Sequence, residues 1–260
     1  MLKKLLKYDI KSYASTTLPL FGLALLLAVF SRIFTQLNDI TPILRVPTEL
    51  VNVLSILMTN ALPFIIFAIG IEKFNKQITK DEGYLTHTLP VKKQIIITSK
   101  LITQTLFQIG SLIVLFASMC IIENIKLNTI INFIKSIKVF ITQYSVITPT
   151  LILLIIIAEY AVINLLIFTA ISFGQKHSTN KSKFAILYGI ILYIIQQFVT
   201  AIIYMPLFKN KQWLNELEKT FPDKTVLNVV LVIGLSALLI TSIVYYILTT
   251  KNLEKKLNLE

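Results

Sequence analysis

Six long apolar runs divide this chain, and they constrain its fold more than any other feature. Residues 12–31 are uncharged over 20 positions, 50–71 and 101–122 over 22 each, 184–208 over 25 and 225–250 over 26. Residues 139–175 run for 37 positions with a single charge, Glu159. A helix crossing a bilayer core needs about 20 mostly apolar residues. It must also satisfy every backbone N–H and C=O internally, because no water reaches them there. The fourth run is too long for one span and too short for two with a turn. Thr148-Pro149-Thr150 lies inside it, and proline suits the first helical turn, where its missing N–H is no loss. A fourth span over residues 149–173 follows. Residues 124–147 become a connecting segment, with an amphipathic stretch that sets Lys135 and Lys138 on one face. The expectation is an all-α polytopic membrane protein. Six transmembrane helices at 12–31, 50–71, 101–122, 149–173, 184–208 and 225–250 make a single domain over residues 1–260.

Composition excludes the competing classes. Hydrophobic residues make up 55% and charged residues 15%, where a soluble domain carries about a quarter charged. Disorder needs low hydrophobicity. Cys120 is the only cysteine, so no intrachain disulfide forms. The strands of a membrane barrel alternate apolar and polar residues, whereas these runs are continuous. The net charge of +12 raises the question of nucleic acid, but the chain has no aromatic platform interleaved with a basic groove. Lys and Arg instead cluster in the loops. With both termini inside, 16 of them face the cytoplasm and 9 face outward, a bias in favour of that orientation.

The first 13 residues form a segment of their own. Leu2, Leu5, Leu6 and Ile10 fall near one helical face, and Lys3, Lys4, Lys7 and Lys11 fall largely on the other. That pattern fits an interfacial helix in the inner headgroup layer, and it fits an ordinary basic anchor equally well. The apolar run that follows ends without a small-residue cleavage site, so it reads as an uncleaved first span.

Chemistry has few footholds. His87 and His177 are the only histidines. They stand in different loops without an acidic or cysteine neighbourhood, which argues against a metal centre. No phosphate loop occurs, so any ATP must be bound by another polypeptide. No apolar run contains a histidine to activate a serine. These readings point to a chain that is not an enzyme and carries no cofactor. Glu159 is the one ionisable residue deep in a span, where a charge costs about 2.5–3.5 kcal/mol on insertion scales. Asn60, Ser111 and Gln196-Gln197 also lie near span midpoints. Two readings stand for this set of five: a polar belt lining a central pathway, or interhelical hydrogen bonds that hold a bundle together.

The loop between the second and third spans is the most informative segment. Glu82-Gly83-Tyr84-Leu85 is followed by Thr88-Leu89-Pro90-Val91, then Lys92-Lys93, then Ser99-Lys100-Leu101. This order resembles the inner loop of the small permease subunits of type 2 ABC transporters, over about twenty residues. In that family the loop is a coupling helix that docks into the ATPase subunit. The resemblance places the ATPase-coupling role on Glu82, Gly83, Tyr84, Leu85, Thr88, Leu89 and Pro90. Elementary chemistry agrees: Gly83 bends a turn, Tyr84, Leu85 and Leu89 are apolar anchors, and Pro90 stops a short helix.

The resemblance implies the transmembrane subunit of an ATP-driven exporter in a cell membrane, the cytoplasmic membrane of a bacterium. It implies separate ABC ATPase subunits holding ATP and Mg, and a second permease copy or a related permease. A hydrophobic or amphipathic peptide, antibiotic or lipid is the implied substrate, and nucleic acid is not a partner. Two alternatives remain: a proton-coupled secondary transporter working through Glu159, and a membrane-embedded lipid-modifying enzyme.

Overall fold

A computed structural model describes residues 1–40, 44–79, 91–124, 131–132, 135–136, 138–139, 142, 146–177, 179–209 and 223–255. Within them lie six long helices: α1 (Leu2–Ile40), α2 (Arg45–Thr79), α3 (Lys93–Ile122), α4 (Ile147–Gly174), α5 (Lys181–Lys209) and α6 (Asp223–Lys255). All six are long and apolar enough to cross a membrane, and each predicted span falls inside one of them. Among the described residues there is no strand. The helices overrun the apolar stretches that announce them. Lysine, glutamate and glutamine are good helix formers, so a charge marks where the bilayer core ends and not where the helix does. α1 accordingly begins in the lysine-rich segment and continues through Pro19, and α2 continues through Pro63. Spanning helices tolerate such prolines where neighbouring groups re-satisfy the freed carbonyl. α4 starts at Ile147, two residues before the predicted position, and Pro149 still sits in its first turn. Lys135 and Lys138 are exposed and helical.

The chain forms two compact units, residues 1–73 with 98–136, and residues 74–97 with 137–260. In the first, α1 and α2 meet along small side chains. Ala24, Ala28 and Ser31 of α1, and Ser55 and Thr59 of α2, are fully buried. Without a hydrophobic drive between helices in lipid, close approach and interhelical hydrogen bonds supply the attraction. Ser55 Oγ donates to Leu27 O at 2.8 Å, Thr48 Oγ1 to Phe34 O at 3.2 Å, and Ser31 Oγ to Asn52 Oδ1. Tyr13, Ala24, Leu62, Ile66 and Phe107 make the apolar centre, with Tyr13 and Phe107 stacked at 5.7 Å. α3 is turned inside out relative to a soluble helix. Thr103, Gln104, Gln108 and Ser111 are buried, while Ile102, Leu106, Ile113 and Phe116 are exposed. A lipid solvent reverses the usual pattern, because it is as apolar as the side chains it receives.

In the second unit α4 packs against both α5 and α6. Its buried residues concentrate in the later half, from Val162 to Gly174. Thr169 and Thr249 hydroxyls meet at 2.9 Å, Thr169 Oγ1 reaches Tyr245 O at 3.2 Å, and Asn252 Nδ2 donates to Ser172 Oγ at 3.2 Å. Phe74 and Phe168 stack with centroids 3.7 Å apart. The turn from α4 to α5 requires Gly174, because a Cβ there would lie 2.7 Å from Lys181 O. Asn180 completes the turn at φ 54°, a conformation asparagine tolerates better than most residues.

Candidate functional site: a polar cavity at mid-span

A cavity of about 180 Å³ opens among α4, α5 and α6. Its polar lining is Glu159 from α4, Gln196, Gln197, Thr200 and Tyr204 from α5, and Thr241 from α6. Ile155, Val199, Ile203 and Leu238 complete the wall. Glu159 lies 12 residues into α4, about 18 Å along the axis at 1.5 Å per residue. Gln196 and Leu238 are each close to the middle of their own helices. The cavity therefore sits at mid-depth on all three spans, where a polar lining is costly and usually functional.

The α5 contribution follows from spacing. Gln196, Thr200 and Tyr204 recur every fourth residue and form one stripe on the helix. Tyr245 fixes the stripe by donating its hydroxyl to Gln196 Oε1 at 3.1 Å. Thr200 Oγ1 donates to Gln196 O at 2.9 Å, and Thr241 Oγ1 donates to Leu238 O at 3.0 Å. Gly234 makes room for the Tyr204 hydroxyl, since a Cβ on Gly234 would collide with Tyr204 Oη. Glu159 and Gln197 are exposed.

Of the five polar residues read as a belt, Glu159, Gln196 and Gln197 thus come together. Asn60 and Ser111 belong to the first unit and do not line this cavity. Asn60 is exposed and donates to Ile56 O of its own helix at 2.8 Å. Ser111 is fully buried and donates to Gln108 O at 2.6 Å. Both have the geometry of self-satisfied helix polar groups. The coupling residues Glu82, Gly83, Tyr84, Leu85, Thr88, Leu89 and Pro90 lie outside the described residues, as does His87. Just beyond that loop, Tyr246 Oη donates to Gln94 O at 3.1 Å. His177 stacks on Phe184 at 3.7 Å and meets Tyr188 Oη at 3.2 Å, a packing role. No cluster of metal-ligating side chains occurs among the described residues.

One polar cluster escaped the sequence reading. Asp9 and Lys100 form a buried ion pair at 3.4 Å, and Ser99 Oγ donates to Asp9 Oδ2 at 2.6 Å. Lys73 Nζ binds Ser12 O at 2.7 Å and lies 5.3 Å from the Tyr13 ring centroid. Asp9 is the lone acid in a row of lysines, and Ser99-Lys100 stands at the head of a span. Those two anomalies were the available signal. Nearby, Gln104 fills the space that a side chain at Gly70 would occupy.

Comparison of the chain with protein-family models, curated proteins and solved structures finds no match.

Proposed function

We propose that this chain is the membrane-spanning subunit of an ATP-driven transporter, working with a separate ATPase. The observation that carries the transport reading is the cavity at mid-span, which gathers one carboxylate, two amides and three hydroxyls from three spanning helices. Polar groups that only hold a bundle together hydrogen-bond across helices. Here they line a space. The drive by ATP is supported by the resemblance of the 82–101 loop to a coupling segment, together with a sequence that has no phosphate loop. The excess of lysine in the N-terminus, the loop at 72–100, the loop at 174–183 and the tail supports both termini facing the cytoplasm. In that orientation Lys3, Lys4, Lys7 and Lys11, all exposed on α1, lie at the inner headgroups. Export of an amphipathic substrate, and pairing with a second permease, complete the reading by analogy with the resembled family.

Tyr84→Ala with Leu85→Ala tests the coupling half. Purified from its native membrane, the wild type should carry ATP-hydrolysing activity, and the double variant should insert normally but lose it. Truncating such anchors costs about 2 kcal/mol or more, roughly a thirtyfold weaker complex. Efflux that persists without ATP and follows a proton gradient would favour the secondary-transporter alternative, for which Glu159 in the cavity is the specific observation.

A further inference from the structure

We infer that the cavity binds a hydrogen-bond-donating organic cation: a single primary ammonium or guanidinium group carried on an apolar body. This deepens the transport reading and rests on it, by naming the substrate class of the same cavity.

Three observations select that chemistry. The first is charge. Glu159 supplies a carboxylate, and among the described lining residues there is no lysine, arginine or histidine. An anionic ligand would meet repulsion and a cation meets its counter-charge. A charge at mid-span is costly and is found paired, so carboxylate and cation each reduce the other's penalty.

The second is the balance of donors and acceptors. The Thr200 and Thr241 hydroxyl hydrogens are already given to the helix carbonyls of Gln196 and Leu238. What those oxygens retain is lone pairs. Tyr204 Oη and the Gln197 amide can each accept as well. The lining thus offers several acceptors around one negative charge, beside the amide N–H groups of Gln196 and Gln197, and those acceptors suit a group with several N–H bonds. A quaternary ammonium has none to give.

The third is size and wall. A cavity of about 180 Å³ is slightly larger than the engineered cavities of about 150 Å³ that accept benzene. It holds one headgroup and not a folded peptide. The rest of its wall is aliphatic, so the atoms next to the cationic group should be apolar.

The full-length chain in nanodiscs of zwitterionic lipid provides the test, with tritiated decylammonium as the probe. Saturable binding is expected. Decylguanidinium should displace it, decyltrimethylammonium should compete about tenfold less well, and decanol should not compete. Glu159→Gln should weaken binding about tenfold or more, as loss of a charge-assisted bond predicts, and Glu159→Asp should restore part of it. Saturable binding unchanged in Glu159→Gln, equal competition by decanol, or no saturable binding by the wild type would each overturn the inference. ATP-driven movement of the probe in inside-out vesicles is measured separately. Binding without ATP-driven movement keeps the site and removes the proposed function. Movement that Glu159→Gln leaves untouched keeps the function and removes the site.

Discussion

The two units carry polar side chains of the same kinds and both bond them within and between helices, but only in the second does a set of them also line a space. In the first, Thr48, Ser55, Ser99 and Ser111 are buried and bonded to a helix carbonyl or to a charged neighbour. Asp9 and Lys100 neutralise each other there. In the second, Glu159, Gln197, Thr200 and Thr241 face a common space. The difference shows why residue type alone does not mark a pathway. A hydroxyl in a span can bond its own helix and still line a space, as Thr200 and Thr241 do, so only its surroundings separate the two roles.

That contrast predicts where substitutions damage stability and where they damage only activity. The largest loss of stability should follow Asp9→Ala, which breaks a buried ion pair with Lys100 and should cost about 3–5 kcal/mol. Replacing both partners with apolar residues, Asp9→Leu with Lys100→Met, should recover most of that. Unfolding in mixed micelles followed by circular dichroism measures both. Equal losses for the single and double variants would mean that the pair is not the source of the effect.

Gly70→Ala should come next, at about 1–3 kcal/mol. The new Cβ would collide with the buried Gln104 side chain from its amide back to Cγ. Gly234→Ala makes the sharper comparison. Its Cβ meets only the outer end of the Tyr204 ring, which borders the cavity and has that space to swing into, so the unfolding midpoint should change less, while the displaced hydroxyl should reduce transport. A Gly234→Ala protein as unstable as Gly70→Ala would erase the distinction between the units.

Glu159→Gln should leave the protein as stable as the wild type, since Glu159 is exposed and lines a space instead of a packed core. Transport in reconstituted vesicles should nonetheless fall. The smallest effect belongs to Asn60→Leu, within about 0.5 kcal/mol and without change in transport, because Asn60 bonds only its own helix. A transport defect in Asn60→Leu would return that residue to the pathway.

The helices were legible in the sequence to within a few residues wherever apolar length marks a bilayer crossing. Their ends were not, because lysine-rich and glutamine-rich flanks continue a helix as readily as leucine does: α1 extends ten residues ahead of its predicted span. Glu159 and Gln196-Gln197 could be singled out because a polar group at mid-span is anomalous by itself. Thr200, Tyr204 and Thr241 were missed, since threonine and tyrosine are ordinary in spans and only the packing of α4, α5 and α6 gathers them. The four-residue spacing of Thr200 and Tyr204 after Gln196 was a usable signal. Asn60 and Ser111, equally anomalous by position, are bonded to their own helices, a difference that residue type at mid-span does not reveal.

The central claim is that the cavity of the second unit is a water-accessible polar site, and that the buried polar seam of the first unit is not. Thiol accessibility tests it directly. In a Cys120→Ser background, Thr200→Cys, Thr241→Cys, Ser111→Cys and Ile190→Cys are compared in native membranes. Each reacts with a small charged thiol reagent that needs water to reach its target. Fast labelling is expected at positions 200 and 241, and little or none at 111, in the seam, or at 190, on an exposed apolar face of α5. Labelling at 200 and 241 as slow as at 190 would contradict it.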